Sequence, residues 1–434
     1  MVVMDDARFD DLRYMDHIPA VMAAQGLTFD AAYVAVPLCA PSRASILTGR
    51  YAHNHGIWNN AIPRGGYVGF HEAGLEDQTI AVWLKQAGYR TMLAGKYLNH
   101  YPEDPGLKDY VPPGWDEWYV PVPMNTQLGY ALRFKDGQGR EGWEPRGTGA
   151  ADYEVDVLRD KTLDFIRRGG PFLAYVNPIP PHIPHVAAPR FRDRFDDLPF
   201  PKGPSYNETK TKDKPYWVRS LPRITPGVEA GIVEAWRMRL RSLLAVDDMV
   251  RVFVDALAQA GQLDHTYLVL TSDNGWFLGE HRYANGKDAP YEEASRAPLI
   301  IRGPGVPAGA RLDHPVSLID LAPTLLELAQ APLPAVLDGK SLVPLLGSRP
   351  TPVEQWRRAV LFEAAQFSAI RTRDYVYVDW ADVFTELYDM RRDPYQQQNL
   401  LYHLELEPDA DAIAAALATE LIALAGCARS PCRL

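Results

Sequence analysis

The chain has 434 residues, 47% of them hydrophobic and 23% charged, with a formal net charge of -10. That composition is ordinary for a globular protein long enough to bury a large core, and the negative balance disfavours non-specific nucleic-acid binding. No apolar run is long enough to span a bilayer as a helix, and an anionic substrate would have to be drawn by a local basic pocket against the overall charge.

In chain order, Met1–Met4 reads as a buried strand, and Asp5-Asp6 follows at once. The opening residues do not read as a signal peptide. A sequence that opens inside its first strand is read as cut short, so the expected location is secreted or extracytoplasmic on that reading and cytoplasmic otherwise. Ala31–Val36, Tyr89–Ala94, Phe172–Val176 and Thr266–Thr271 are predicted strands. Gln78–Gln86, Tyr153–Arg168 and Val228–Ala260 are predicted helices, the last long enough to contain a break. Gly88 suits the position that ends the first of them. Such alternation predicts an α/β sheet with helices on both faces. Residues 178–226, rich in proline, lysine and aspartate, are expected to form a surface excursion, and the sequon at Asn207 is taken as accidental. A helix over Ser317–Gln330 closes the large unit. Beyond Pro350 the runs Ala359–Glu363, Ser368–Arg371, Tyr375–Val378 and Phe384–Tyr388 predict a strand meander, followed by a helix over Asp409–Leu424. The expected division is a catalytic domain over 1–349 and a small antiparallel-sheet-plus-helix domain over 350–434. Cys427 and Cys432 could close a small loop as a disulfide or remain two free thiols.

In open α/β sheets, ligands bind beyond the carboxyl ends of the strands. Four predicted strands deliver polar groups there: Asp5-Asp6, Lys96 after Gly95, His182 after Pro181, and Asp273-Asn274-Gly275. Asp5, Asp6, Asp273 and Asn274 form an all-oxygen set of the kind hard cations favour, Ca2+ first and Mg2+ second. Either pair alone also reads as turn residues. Cys39-Ala40-Pro41-Ser42-Arg43 is followed by Leu47-Thr48-Gly49-Arg50. Pro41 suits a helix start and Gly49 a helix end. Cys39 would then lie beside a helix N-terminus, where free N–H groups favour an anion, with Arg43 one turn further in. Local chemistry leaves a buried structural cysteine and a plain reactive thiol open beside this.

The string Cys-x-Pro-Ser-Arg-x-x-x-Leu-Thr-Gly-Arg over residues 39–50 resembles the signature of the type I, formylglycine-dependent sulfatases of the alkaline phosphatase superfamily. Gly286-Lys287 with Tyr291-Glu292, Leu321-Ala322-Pro323-Thr324-Leu325-Leu326 and Glu386-Leu387-Tyr388-Asp389 resemble further segments of that family, so the likeness covers nearly the whole chain. It implies an alkaline-phosphatase-like fold: a large mixed, mostly parallel sheet sandwiched by helices, with a small C-terminal α+β domain. It also implies that a formylglycine-generating enzyme oxidises Cys39 to 3-oxoalanine. The hydrated aldehyde, beside calcium, then attacks sulfur, and sulfate is released by elimination. By position, Asp5, Asp6, Asp273 and Asn274 are implied metal ligands, completed by the modified Cys39, and Arg43 supports that residue. Lys96, His182 and Lys287 are implied to bind the sulfate oxygens, with His182 or Lys287 protonating the leaving oxygen; His185 is a weaker substitute.

One position departs from many sulfatases, which carry a histidine where Leu98 stands. Gly95-Lys96-Tyr97-Leu98-Asn99 instead resembles the N-acetylglucosamine-6-sulfatase branch, as does His53-Asn54-His55-Gly56 with Trp58-Asn59-Asn60. His100, Trp58 and Asn60 are candidate substrate contacts, although this segment could equally cap the turn after the signature helix. The expected substrate is a sulfate ester, aryl or carbohydrate, such as 6-O-sulfated N-acetylglucosamine. Competing readings are a phosphonate monoester or phosphodiester hydrolase of the same superfamily and a non-catalytic glycan-binding relative. A bare-thiol cysteine hydrolase lacks a supporting His/Asn partner motif.

Overall fold

The computed structural model describes residues 1–103, 107–381 and 384–433. Short apolar runs become the strands β1 (Val2–Met4), β2 (Leu27–Phe29), β3 (Ala32–Tyr33), β4 (Arg90–Gly95), β5 (Glu117–Val122), β6 (Ala131–Lys135), β7 (Glu141–Pro145), β8 (Phe172–Asn177), β9 (Leu268–Ser272), β10 (Leu299–Arg302), β11 (Ala310–Leu312) and β12 (Val316–Ser317). Ten of them form one sheet in the order β11-β2-β10-β9-β1-β8-β4-β5-β6-β7. Its centre, β9 through β5, is parallel. Antiparallel strands flank it, β10 beside β9 and the meander β5-β6-β7 on the other side. The mixed, mostly parallel sheet expected from the sequence is therefore present.

Successive side chains of a strand face opposite sides, and here both sides are covered. Val3, Leu93 and Tyr175 pack with Ala40, Ile46, Leu84 and Leu326, from the helices Cys39–Thr48, Ile80–Gln86 and Leu321–Leu328. Met4, Ala94 and Val176 pack against Leu158 and Leu243, from the helices Glu154–Ile166 and Pro226–Gln259. This two-sided burial explains why the central strands read as continuous apolar runs. Each fully buried aliphatic side chain stabilises the sandwich by about 1.5–3 kcal/mol.

Four expectations need correction. Ala31–Val36 is not one strand: only Ala32–Tyr33 pairs, with Val316–Ser317, and the place in the large sheet goes to Leu27–Phe29. Val34 donates its N–H to the Ser295 carbonyl instead, so that apolar run reports burial and not strand pairing. The helix expected over Val228–Ala260 is unbroken, 34 residues from Pro226 to Gln259, and Thr225 caps its start. The expected Ser317–Gln330 helix begins as a tight turn at Leu318–Asp320 and becomes α-helical only at Leu321, closed by a Ser317/Asp320 capping box. Within residues 178–226, Ser205, Glu208, Asp213 and Lys214 are buried. Lys214 Nζ lies 2.8 Å from the Tyr388 hydroxyl, and Asn399 donates its N–H to Asp213 Oδ2 at 3.0 Å. The excursion thus joins the large sheet to the C-terminal part.

That part is the four-stranded antiparallel sheet β13 (Ala359–Ala364), β14 (Phe367–Thr372), β15 (Tyr375–Trp380) and β16 (Thr385–Asp389), with the helix Ala410–Ala425 packed on it. Cys427 and Cys432 are joined as a disulfide, and Cys39 is the free cysteine.

Candidate active site

The carboxyl ends of β1, β8, β9 and β4 bring the polar groups to one rim. Met4 pairs with Ser272, so Asp5-Asp6 and Asp273-Asn274 leave the sheet side by side. Asp6 has φ 70°, a left-handed conformation that aspartate tolerates better than most residues. Three bonds hold it there. Its N–H donates to Asp273 Oδ1 at 3.1 Å, Arg239 Nη2 donates to its carbonyl at 2.6 Å, and Asn274 Nδ2 donates to its Oδ1 at 2.6 Å. Lys96 follows Gly95, which has φ 107° and lies so close to the next strand that a Cβ there would be 2.0 Å from the Asn177 carbonyl oxygen. Only glycine fits that crossing.

Cys39 is the first residue of the helix Cys39–Thr48, which ends at Gly49 in the left-handed region. The helix begins two residues before Pro41. Asn60 Oδ1 accepts the Ala40 N–H at 2.9 Å, satisfying one of the free donors of the first turn. Cys39 Sγ lies 3.6 Å from Asp5 Oδ1 and 2.7 Å from Lys287 Nζ. Arg43, one turn on, places Nε 2.8 Å from Asp273 Oδ2 and Nη2 3.8 Å from Asp5 Oδ2. Lys96 Nζ is 2.5 Å from Asp5 Oδ2, and Lys287 Nζ pairs with Asp6 Oδ1. His182 Nδ1 bonds to the Ile183 carbonyl at 2.7 Å, which leaves Nε2, 3.9 Å from Asp6 Oδ2, as the ring atom facing the cluster.

Three carboxylates, Asp5, Asp6 and Asp273, thus face three cations, Arg43, Lys96 and Lys287, in a buried volume. Burial alone would raise the Asp5 carboxyl, but Lys96, His182, Arg43 and Lys287 together hold it below the usual range. Burial and the neighbouring Asp5 push Asp273 up to about 6, against the pull of Arg43. Burial pushes the Cys39 thiol up to about 12, so it is protonated at neutral pH. Burial also lowers His182.

The donor set fits a hard divalent cation. Oxygens of Asp5, Asp6 and Asp273 all lie within 4.8 Å of one another. Asp6 Oδ2 is buried with no hydrogen-bond partner among the described residues, and a buried carboxylate oxygen left so is costly unless something binds it.

Residues 1–331 match the family described as Sulfatase. The chain belongs to the sulfatase family. Residues 279–425 of this sulfatase also match the C-terminal part described for N-sulphoglucosamine sulphohydrolase. The chain is 36% identical over 353 residues to the N-acetylglucosamine-6-sulfatase of Homo sapiens, covering 79% of this chain and 62% of that one. It is 32% identical over 371 residues to the extracellular sulfatase SULF-1 homolog of Drosophila melanogaster, covering 83% of this chain and 32% of that one. The chain therefore spans less than two thirds of either relative. A protein solved in complex with its substrate D-glucosamine-2-N,6-O-disulfate superimposes with a TM-score of 0.80 at 24% identity, over 97% of this chain and 96% of that one.

Not every sequence candidate joins the cluster of this sulfatase. His100 bonds to Glu103 Oε2 at 2.7 Å, and no hydrogen bond or ion pair links it to the three carboxylates among the described residues. His185 is buried and bonds to the Pro181 carbonyl. Asn60 acts on the backbone beside Cys39, as described, and Trp58 is half-buried. His53 and Asn54 tie the turn after the signature helix to Glu363 and the Cys427 carbonyl, so that stretch fastens the C-terminal part.

Two supporting residues were missed from sequence. Arg8 Nη1 donates to the Trp276 carbonyl at 2.7 Å and its Nη2 pairs with Glu280 at 2.9 Å, tying the two acidic loops together. Arg239 reaches Asp6 from the long helix, and its Nη2 also lies 3.4 Å from Asp11. The available signal was a charged residue between Trp236 and Leu243 on that helix's buried face.

Proposed function

We propose that this chain hydrolyses sulfate esters, with 6-O-sulfated N-acetylglucosamine units as the preferred substrate class. In this reading Asp5, Asp6, Asp273 and Asn274 hold a calcium ion, with Mg2+ as the alternative metal. Cys39, converted to formylglycine by a formylglycine-generating enzyme, supplies the nucleophile. The observation that carries it is Cys39 at a helix start, 3.6 Å from Asp5 and 2.7 Å from Lys287, beside converging carboxylates. The thiol pushed up to about 12 supports a modified residue over a bare one, because the thiolate is the reactive form of cysteine. When present, the cation would polarise a sulfate oxygen and the hydrated aldehyde would offer a hydroxyl to sulfur.

The chain's own groups do the rest. Lys96 and Lys287 orient the sulfate oxygens and stabilise charge developing on them. Arg43, fixed by Asp273, holds the first turn against the acidic loops. With its Nδ1–H given to the Ile183 carbonyl, the neutral His182 ring presents Nε2 to the site as an acceptor, and Lys287 Nζ carries the proton for the leaving oxygen. His100 has no part in this scheme. The sugar preference is supported by the names of the relatives and by Leu98, which is fully buried. We assign residues 1–349 to the catalytic domain and 350–434 to the C-terminal domain.

The test is to produce the chain with and without a formylglycine-generating enzyme, measuring peptide mass over Cys39 and turnover of aryl sulfates, sulfated amino sugars, phosphonates and phosphodiesters. Sulfate-ester turnover should track the aldehyde fraction. Cys39→Ala should be inactive, and Cys39→Ser should stop after at most one turnover, because a serine sulfate has no geminal hydroxyl to expel sulfate. Full multiple turnover from protein carrying only unmodified Cys39 would refute the mechanism, and faster turnover of phosphonates would refute the substrate class.

A further inference from the structure

Beside Lys287 lies a second pocket of about 430 Å³, lined by Trp217, Tyr283, Asp288, Gln366 and Trp380 together with Lys287 itself. Its volume falls within the range of small-molecule sites. We propose that it is a binding subsite for a pyranose ring, the sugar that carries the sulfate or its neighbour, a proposal that rests on the sulfate-ester reading above.

Two parts of the fold build it. Trp217 comes from the excursion between the large sheet and the C-terminal part. Gln366 sits in the turn between β13 and β14, and Trp380 ends β15. The rings brace one another: Trp217 lies 5.6 Å from Tyr283 and 5.9 Å from Trp380, centroid to centroid. Trp380 is fixed by its Nε1 bond to Glu386 at 2.8 Å. Trp217 Nε1, in contrast, is buried with no hydrogen-bond partner among the described residues. Native proteins seldom leave such a donor unused.

The polar wall is anchored to the catalytic loop. Asp288 follows Lys287, and its N–H donates to the Pro37 carbonyl, two residues before Cys39. Gln366 Nε2 donates to the Asp288 carbonyl at 3.1 Å. The pocket therefore offers flat aromatic faces, one carboxylate and one amide, all beside the lysine that touches Cys39 Sγ. A pyranose matches this set. Its ring carbons present C–H faces to the aromatics, and its hydroxyl or amine hydrogens donate to Asp288. A purely apolar ligand would cover the polar wall of Asp288 and Gln366 without bonding to it, at a cost in affinity.

The experiment uses the full chain with calcium and the Cys39→Ala change, which prevents turnover, and measures binding of D-glucosamine 6-sulfate, N-acetylglucosamine and inorganic sulfate by calorimetry. Trp217→Ala should weaken both sugars about tenfold, equivalent to about 1.4 kcal/mol. Trp217→Phe, which keeps a smaller ring, should give an intermediate loss, and Gln366→Ala, at a half-buried position of the two-residue turn between β13 and β14, provides a second variant. Inorganic sulfate should bind all of them alike. Equal sugar affinity in Trp217→Phe, Gln366→Ala and the parent would overturn the proposal, as would a parallel loss of inorganic sulfate, which would place these residues in the anion site. Trp217-dependent binding of unsulfated N-acetylglucosamine would support the subsite even if no sulfate ester were hydrolysed, so the two readings fail separately.

Discussion

Replacing Asp273 by asparagine tests the charge balance of the cluster with almost no change of shape. The Oδ1 atom, which accepts the Asp6 N–H at 3.1 Å, is retained as an amide carbonyl. The Oδ2 atom, 2.8 Å from Arg43 Nε, becomes an NH2 group facing another donor. Arg43 is 1% exposed, and its remaining carboxylate is Asp5 at 3.8 Å. Two carboxylates then face three buried cations. A charge-assisted hydrogen bond is worth about 1.5–3 kcal/mol, and stranding one member of a buried pair costs about 3–5 kcal/mol. Because these describe the same loss, the expected destabilisation is about 3–5 kcal/mol, read as a lower denaturation midpoint with chelator present. The same change removes a proposed cation ligand and adds net positive charge, so calcium affinity measured by calorimetry should fall at least about 100-fold, beyond the range for outer-shell partners. Arg43→Met added to Asp273→Asn should restore part of the stability, since it removes the stranded charge. A variant that loses less than about 1 kcal/mol and binds calcium as tightly as the parent would refute both the pairing and the metal assignment.

Three other outcomes follow from the same geometry. Arg239→Met removes the donor at the Asp6 carbonyl and leaves Asp11 with less compensation; it should weaken calcium binding by about 10–100-fold, and unchanged affinity by calorimetry would sink that role. Calcium added at about 1,000 times its dissociation constant should stabilise the chelated protein by about 4 kcal/mol, read as a higher melting temperature, and no shift would contradict a calcium site. Glu208 is pushed up to about 7, chiefly by burial, so the folded state keeps a proton that the unfolded chain releases nearer its usual value of 4.5. Its contribution to stability is therefore present below about pH 4.5 and is lost as pH rises through about 7. Melting curves should show Glu208→Gln losing less stability than the parent between pH 5 and 8, and parallel curves would argue against it.

The carboxyl-rim residues were legible because each follows an apolar run in a sequence whose runs alternate with amphipathic helices. Asp5, Lys96, His182 and Asp273 need only a parallel sheet to meet, and β1, β8, β9 and β4 supply one. Lys287 was legible only through resemblance, since nothing in its local sequence separates it from a solvated loop lysine. The failures have a common cause. Val34 and Val36 are as buried as any strand residue, but hydrophobicity reports burial and is blind to where the backbone N–H groups go. His53 stood open between the cleft and the turn after the signature helix, and the partner that decides for the turn, Glu363, lies 310 positions away, a separation no local pattern encodes.

The supporting arginines carry that argument one step further. A charged side chain on a helix's buried face conflicts with the pattern that defines the helix, and such conflicts tend to mark functional sites. Arg239 is fully buried, yet burial lowers its pKa and makes its charge costly to keep. The charge is tolerated because Asp11 and the Asp6 carbonyl receive it, and the Asp6 backbone in turn needs it to remain left-handed beneath its carboxylate. A helix mutation more than 200 positions from the first acidic pair should therefore disturb the proposed metal loop before it disturbs the sheet. For Arg239→Met this means that calcium affinity should fall by a larger factor than the unfolding equilibrium of the calcium-free chain. If the unfolding equilibrium moved more than the calcium affinity, Arg239 would be a structural arginine only.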